Sequence, residues 1–173
     1  MKYWIGPMSK NVVDAVIDSD GDFGFIPSRR QVDYNGGYVN NWTTGEFAKY
    51  VNGRALIQRD HGGIGQGYQH DGGYKSFMCD SKYFDILHID PWKWCTKFED
   101  GIQQTIDYIN YVYLVLGNHN IKFEVGTEES IRRFEDYELE RLLATLENTL
   151  GADEFENIEY AVVQSGVGLD LGK

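Results

Sequence analysis

The chain has 173 residues, of which 42% are hydrophobic and 14% aromatic, so it can build one domain with a proper core and is not a disordered chain. Its formal net charge of −11 argues against sequence-independent binding to nucleic acid or to an anionic membrane, because those partners are also negatively charged. The sequence contains no run of about 18 apolar residues and no secretory segment, and its two cysteines are Cys79 and Cys95. These features predict a reduced, cytoplasmic protein that binds neither nucleic acid nor membrane.

Five short apolar runs predict β-strands, and their first residues lie roughly 30 to 37 positions apart, about the length of one strand and one helix. The segments between them predict helices, most clearly where apolar residues recur every three to four positions. In chain order, the predicted strands are Phe23–Pro27, Ala55–Arg59, Phe84–Asp90, Ile121–Gly126 and Ile158–Gln164. The predicted helices are a leading one over 7–19, Thr43–Val51, a weak one over 74–83, Phe98–Leu116 and Tyr137–Leu150. This alternation predicts a single α/β domain over residues 1–173 with a parallel sheet, either doubly wound or of barrel type.

Polar side chains gather where the predicted strands end. Asp60 and His61 follow the second strand and precede four glycines in six residues, a density that allows a backbone to approach a ligand closely. The pair could equally be a turn cap beside a surface histidine, and Asp90 before Pro91 could be a turn residue that ends its strand. Because the carboxyl ends of parallel strands meet at one edge, where α/β proteins bind ligands, the sequence predicts an active site there. The other residues of this predicted rim are Arg29, Arg30 and Gln31 after the first strand, His88 in the third, Glu124 in the fourth, and Gln164 and Ser165 after the fifth.

Three polar residues interrupt the predicted strands themselves. His88 lies in the third strand, and Lys122 and Glu124 alternate with apolar residues in the fourth. Parallel strands that are buried on both faces are typically continuous hydrophobic runs, so charges inside them are costly unless they line a wet or metal-filled site. The alternatives are a core histidine bonded to a carbonyl and a structural pair between Lys122 and Glu124.

Five short motifs occur in the same order as in a known family. They are QVDYNGGY at 31–38, DHGG at 60–63, HID at 88–90, VGTE at 125–128 and VVQSGV at 162–167. In this ordered set the chain resembles the accessory, so-called non-catalytic subunit of class II tagatose-1,6-bisphosphate aldolase. It departs from that family at Ser165, where proline is usual, at the basic pair Arg29-Arg30, and in lacking the further histidine ligands of class II aldolases.

The resemblance implies a (β/α)8 TIM barrel and a role in the metabolism of phosphorylated hexoses. Relatives of that subunit include metal-dependent sugar epimerases, and the related catalytic class II aldolases are zinc enzymes. By this match Asp60 would carry a proton, His61 would bind the metal, and Glu124 would lie beside it. We therefore predict that Asp60, Asp90 and Glu124 are catalytic and that His61 and Glu124 bind a divalent metal, zinc being the candidate. The predicted substrate-binding residues are Arg29, Arg30, Gln31, His88, Lys122, Gln164 and Ser165.

Two functions from different classes remain open. One is metal-assisted aldol cleavage or epimerisation of a ketose or ketose phosphate, and the other is an accessory subunit that stabilises a catalytic aldolase partner. A (β/α)8 barrel typically has about 250 residues and eight strands, whereas five strands are predicted here. The sequence thus predicts a partial barrel or a fragment, whose exposed interior a second copy or a partner chain would cover.

Overall fold

The computed structural model describes residues 2–127 and 134–163, and in these ranges it contains one sheet of six parallel strands. The strands are β1 (Tyr3–Ile5), β2 (Phe23–Phe25), β3 (Leu56–Gly62), β4 (Ile86–Ile89), β5 (Lys122–Thr127) and β6 (Ile158–Val163). Each strand pairs with the next one along the chain, and the sheet curves into a half-barrel with helices between the strands. The predicted parallel sheet in sequence order is confirmed, and β1 is a strand that the sequence did not reveal.

Helices connect the strands. They are α1 (Lys10–Ile17), α2 (Thr44–Val51), α3 (Tyr74–Asp80), α4 (Phe98–Asn110), α5 (Asp136–Thr149) and α6 (Ala152–Glu156). Thr43 and Glu46 form a capping box at the start of α2, and α4 continues into a π-helical segment, Tyr111–Val115. None of the helices that the structure describes combines the length and the apolar character needed to cross a membrane.

The two faces of the sheet differ in chemistry. Strand residues on one face belong to the hydrophobic core, and Phe25, Leu87 and Phe123 among them are completely buried. They pack with apolar residues of the helices, including Phe47, Phe77, Ile109, Leu142 and Leu146. Side chains alternate between faces along a strand, so His88 and Glu124 project to the opposite, concave face. The polar residues that interrupt these strands therefore lie away from the helix-covered core.

One charged residue is an exception, because Arg59 of β3 lies on the helix-covered side. Its side chain is fully buried and donates two hydrogen bonds of 2.7 Å to the carboxylate of Asp80 in α3. It also donates to the carbonyl oxygens of Pro27 and Val32, at 2.9 and 2.8 Å. A buried charge persists only with such partners. The guanidinium thus joins β3, α3 and the segment after β2.

Candidate metal centre

The carboxyl end of β3 is irregular at Asp60-His61. The register of β3 against β4 shifts between Arg59 and Gly62, where three steps along β3 correspond to two along β4. His61 adopts the left-handed backbone conformation, with a φ of +44°. A non-glycine residue held in this way costs roughly 1–3 kcal/mol, and an inserted residue re-aims its neighbours at many functional sites. The extra residue directs both Asp60 and His61 toward the end of β4.

Asp90, directly after β4, fixes the orientation of His61. Its Oδ2 lies 2.6 Å from His61 Nδ1 and accepts a hydrogen bond of 2.8 Å from Gln66 Nε2. Its Oδ1 accepts the backbone N–H of Trp92 at 3.2 Å, and the residue is 1% exposed. A carboxylate only accepts hydrogen bonds, so His61 donates through Nδ1. In the neutral imidazole the proton therefore lies on Nδ1 and the lone pair on Nε2. A carboxylate behind a histidine is how proteins commonly orient a metal-binding imidazole.

Three side chains then bring potential metal ligands together. Asp60, His61 and His88 each offer one ligand atom, and these atoms all lie within 4.8 Å of one another. His61 Nε2 is 3.6 Å from Asp60 Oδ1, and the ring centroids of His61 and His88 are 5.1 Å apart. Two nitrogens and one carboxylate oxygen form the ligand set of many catalytic zinc sites, which keep a further position for water or substrate. The residues fit a divalent transition metal, and we call this group the metal centre.

Solvent reaches the metal centre from one side. The side chains of Asp60 and His61 are about 30% exposed, whereas His88 is 3% exposed. His88 lies at the base of the site, where its Nδ1 is 3.4 Å from the backbone nitrogen of His61. An ion or a substrate would therefore approach over Asp60 and His61.

Glu124 lies one strand further from His61. It is opposite His88 in the register of β4 and β5, and its carboxylate accepts a hydrogen bond from Gln58 Nε2 of β3. Gln58 is 2% exposed, and its Oε1 has no hydrogen-bond partner among the described residues. The sequence paired Glu124 with His61 as metal ligands, whereas the structure groups His61 with Asp60 and His88. Glu124 instead extends the polar row of the metal centre across the concave face.

Residues 63–73 form a compact loop that stands over this end of the sheet. Its ends touch, since a Cβ atom on Gly73 would lie 2.5 Å from the backbone carbon of Gly63. Loops of this length with joined ends are Ω-loops, which frequently carry function, and we call this one the Ω-loop. Gln66, in its middle, is 9% exposed and reaches Asp90. The Ω-loop therefore contacts the residue that orients His61.

Arg29 holds the Ω-loop from inside the protein. It is 1% exposed and donates to both carboxylate oxygens of Asp71, at 2.8 and 2.9 Å. It also donates to the carbonyl oxygen of Gly63 at 2.9 Å and to Asp33 Oδ2 at 3.0 Å. These bonds occupy the guanidinium and keep it from solvent. The predicted substrate-binding role of Arg29 is therefore replaced by a structural one.

The ion pair between Arg29 and Asp71, at the base of the Ω-loop, makes the free energy of unfolding depend on pH in acid. The hydrogen bond from Arg29 holds the pKa of Asp71 below its ordinary value of 3.8. Because the pKa is lower in the folded chain, the ionised carboxylate stabilises the fold above about pH 3.8, and this contribution is lost as the pH falls through the folded value. We expect Asp71→Asn to flatten the decline in free energy of unfolding below about pH 4, measured by urea denaturation. Asp153→Asn, on exposed α6, is the control, and equal pH profiles for Asp71→Asn and the wild type would contradict the expectation.

Arg30 and Gln31 approach the rim from the segment after β2. An isolated bridge between Ser28 and Asp60 joins this segment to β3. Gln31 is 7% exposed, and its Oε1 accepts the backbone N–H of Ser28 at 2.8 Å, so its amide shapes the turn. Arg30 is exposed and lies where a dissolved anion can reach it.

Lys122 is separated from the metal centre, contrary to its predicted contact with substrate there. It is the first residue of β5, at the end of the strand opposite to the polar rim, and is paired in register with Ile86. Its Nζ donates to Asn157 Oδ1 at 2.9 Å. The prediction was wrong because alternation shows which face of a strand a side chain lies on, but it does not show how far that side chain is from the carboxyl end of the strand. Gln164 and Ser165 lie outside the described residues.

Sequence reasoning missed Gln66 and Gln58. An isolated glutamine carries no pattern of its own, and Gln58 lies inside an apolar run. The signal for Gln66 is indirect, since the glycines on both sides of it indicate a backbone that packs closely against its surroundings. No protein-family model matches this chain, and no curated protein matches it either. Function is therefore inferred from the geometry of the metal centre.

Proposed function

We propose that the chain carries out metal-assisted chemistry on a ketose or ketose phosphate, as aldol cleavage or epimerisation, with zinc as the candidate ion. The observation that carries the proposal is the convergence of Asp60, His61 and His88 within 4.8 Å, with Asp90 behind His61. The order of the sequence motifs, which resembles that of the tagatose-bisphosphate aldolase accessory subunit, points to the same substrate class. On this proposal the half-barrel corresponds to part of a (β/α)8 barrel of that type.

The side chains take distinct roles in such a reaction. Asp60, His61 and His88 would hold the ion, and Asp90 keeps the His61 lone pair on Nε2. A bound divalent ion polarises a ketose carbonyl and stabilises the negative charge that develops on its oxygen. Glu124, oriented by Gln58, is the carboxylate that would move the hydroxyl proton. Compared with the sequence-based assignment, this exchanges the roles of Asp60 and Glu124.

The proposal is tested by metal content and turnover. We expect the purified protein to bind about one zinc ion per chain and to lose turnover of ketose 1,6-bisphosphates on chelation, with recovery when zinc is returned. Bound metal is read by elemental analysis and isothermal titration calorimetry, and cleavage by release of triose phosphate. A chain that binds no divalent ion at micromolar concentration, or that is equally active with and without chelator, contradicts the proposal.

A second function is favoured by the concave face of the sheet. Leu56 and Tyr160 on this face are 41% and 40% exposed, although both are large and apolar. Such a face is suited to contact with another chain, either a second copy or a catalytic aldolase subunit. If the protein lacks turnover alone but raises the activity or stability of a class II aldolase, the accessory role is the correct one.

A further inference from the structure

We propose that the Ω-loop sets the metal affinity of the centre, and that Gln66 is the positioning residue through which it acts. Gln66 would not touch the ion or the substrate but would hold Asp90, which in turn holds His61. This inference deepens the proposed function and rests on it as far as the metal is concerned. It adds a control element that lies outside the three ligands.

The contacts that carry the inference share a single oxygen atom. Oδ2 of Asp90 meets both His61 Nδ1, at 2.6 Å, and Gln66 Nε2, at 2.8 Å. The same terminal atom of Gln66 also lies 3.3 Å from the backbone oxygen of Asp90. Because both neighbours are acceptor oxygens, this atom is the amide nitrogen, Nε2, and not the amide oxygen. Since Asp90 is 1% exposed, loss of Gln66 would leave a buried carboxylate with one donor fewer. The carboxylate would keep the Trp92 N–H and His61 as partners, but its orientation, and that of His61, would be fixed by one hydrogen bond fewer.

The position of Gln66 is fixed by its two glycine neighbours. A Cβ atom on Gly65 would collide with the indole of Trp94, and one on Gly67 would lie 3.0 Å from Arg29 Nη2. Gly65 also has a φ of +70°, a conformation that favours glycine. The backbone therefore packs directly against Trp94 on one side and Arg29 on the other. Gln66 is presented to Asp90 by a loop that has little room to shift.

The same loop extends from this fixed centre to an exposed tip. Tyr68 at the tip is 69% exposed, and the ring of His70 packs edge-on against the exposed indole of Trp94, with centroids 4.1 Å apart. Arg29 fastens the base of the loop at Gly63 and Asp71. A ligand that contacts the tip would therefore act on the same short segment that holds Gln66. This connects the surface next to the metal centre with the orientation of His61.

The first test compares two glutamines of the Ω-loop. Gln66→Met keeps the length of the side chain but removes the amide donor, and Gln69→Met makes the same change at an exposed position of the loop. Replacing a residue that is hydrogen-bonded to a metal ligand typically weakens metal affinity about 10- to 100-fold. Gln66 is one hydrogen bond further from the ion, so we expect a loss at the lower end, about 10-fold, for Gln66→Met and none for Gln69→Met, measured by zinc titration, with both variants folded by circular dichroism. Equal zinc affinity of Gln66→Met and the wild type would overturn the inference.

A double-mutant cycle separates positioning from a general effect on the fold. Asp90→Leu removes both carboxylate oxygens, and with them the link between Gln66 and His61, while keeping a side chain of similar size. If Gln66 acts through Asp90, Gln66→Met weakens zinc binding in the wild type but adds little in the Asp90→Leu background. Additive losses of affinity in the double variant would mean that Gln66 acts by another route, and the inference would fall.

A metal-free measurement distinguishes this inference from the proposed function. The N–H proton on His61 Nδ1 should give a slowly exchanging imidazole resonance, identified by its loss in His61→Asn. We expect Gln66→Met to shift or broaden this signal and Gln69→Met to leave it unchanged. If the wild type binds no zinc but shows this difference, the positioning role stands and the metal proposal fails. If neither variant alters the resonance, the positioning role is wrong whatever the wild type binds.

Discussion

Asp80→Asn is expected to lower the free energy of unfolding by about 3–5 kcal/mol, the range for removing one partner of a buried ion pair. Asp80 and Arg59 are both fully buried, and two hydrogen bonds of 2.7 Å join them. The asparagine has nearly the same shape but no charge, so the guanidinium remains in a low-dielectric interior without its counter-ion. Desolvation of that isolated charge, more than the lost contact, produces the effect.

Urea denaturation with two comparison variants tests this result. Glu99→Gln removes one partner of an exposed pair, in which Arg141 lies 3.0 Å from Glu99, and should cause little measurable change. Replacing both Arg59 and Asp80 by leucine removes the isolated charge but leaves the carbonyl oxygens of Pro27 and Val32 without their donor, so it should restore only part of the stability lost in Asp80→Asn. If Asp80→Asn unfolds at the same urea concentration as the Glu99→Gln control, the pair does not stabilise the fold.

The fold could be predicted from the sequence because its signals are local and repeated. Each of the strands β2 to β6 is a short apolar run, and one helix separates each strand from the next, except that α5 and α6 both lie between β5 and β6. β1, by contrast, has three residues, Tyr3–Ile5, and among the described strands it pairs with β2 alone. It is too short to show a periodic pattern. The five-residue helix α6, with Gly151 at its N-cap, is another element that the sequence did not predict. Such short elements are stabilised by their neighbours and have little pattern of their own.

The location of the site could also be predicted, but its geometry could not. Asp60, His61, His88 and Asp90 were all placed at strand ends, and the structure brings them together there. Regular alternation, however, directs Asp60 and His61 to opposite faces of β3. Only the extra residue and the left-handed backbone of His61 bring both side chains to one site, and neither has a signature in the sequence. The choice of Glu124 over His88 as a metal ligand follows from that missing information.

Arg59 shows the same limit on the other face of the sheet. A charge at the last position of the predicted strand Ala55–Arg59 suggests a solvent-facing or site-facing residue. The structure places it on the helix side, where its partner Asp80 comes from α3, 21 positions further along the chain. The energy of such a pair depends on contacts that no local pattern contains. Buried ion pairs and inserted residues are the two features of this protein that required its three-dimensional structure.

The roles of Glu124 and His61 can be separated by one pair of variants. Glu124→Gln keeps the shape of the side chain and its place beside Gln58 but removes its basicity. General acid–base catalysis typically contributes about 10²- to 10⁴-fold in rate, so we expect turnover to fall by that factor while zinc affinity stays within about threefold. Glu159→Gln, an exposed change on β6, is the control for a lost negative charge.

His61→Asn should give the opposite pattern. Asparagine tolerates the left-handed backbone at this position, so the chain should remain folded, but it lacks the imidazole nitrogen. We expect zinc affinity to fall by more than about 100-fold, beyond the range for residues that only support a ligand, and turnover to fall with it. Calorimetric titration gives the affinity, and the ketose bisphosphate assay gives the rate. Should Glu124→Gln lose zinc while His61→Asn keeps it, the two roles are reversed. Full turnover in both variants would mean that neither Glu124 nor His61 takes part in the reaction, and the metal-assisted mechanism proposed for this site would be wrong.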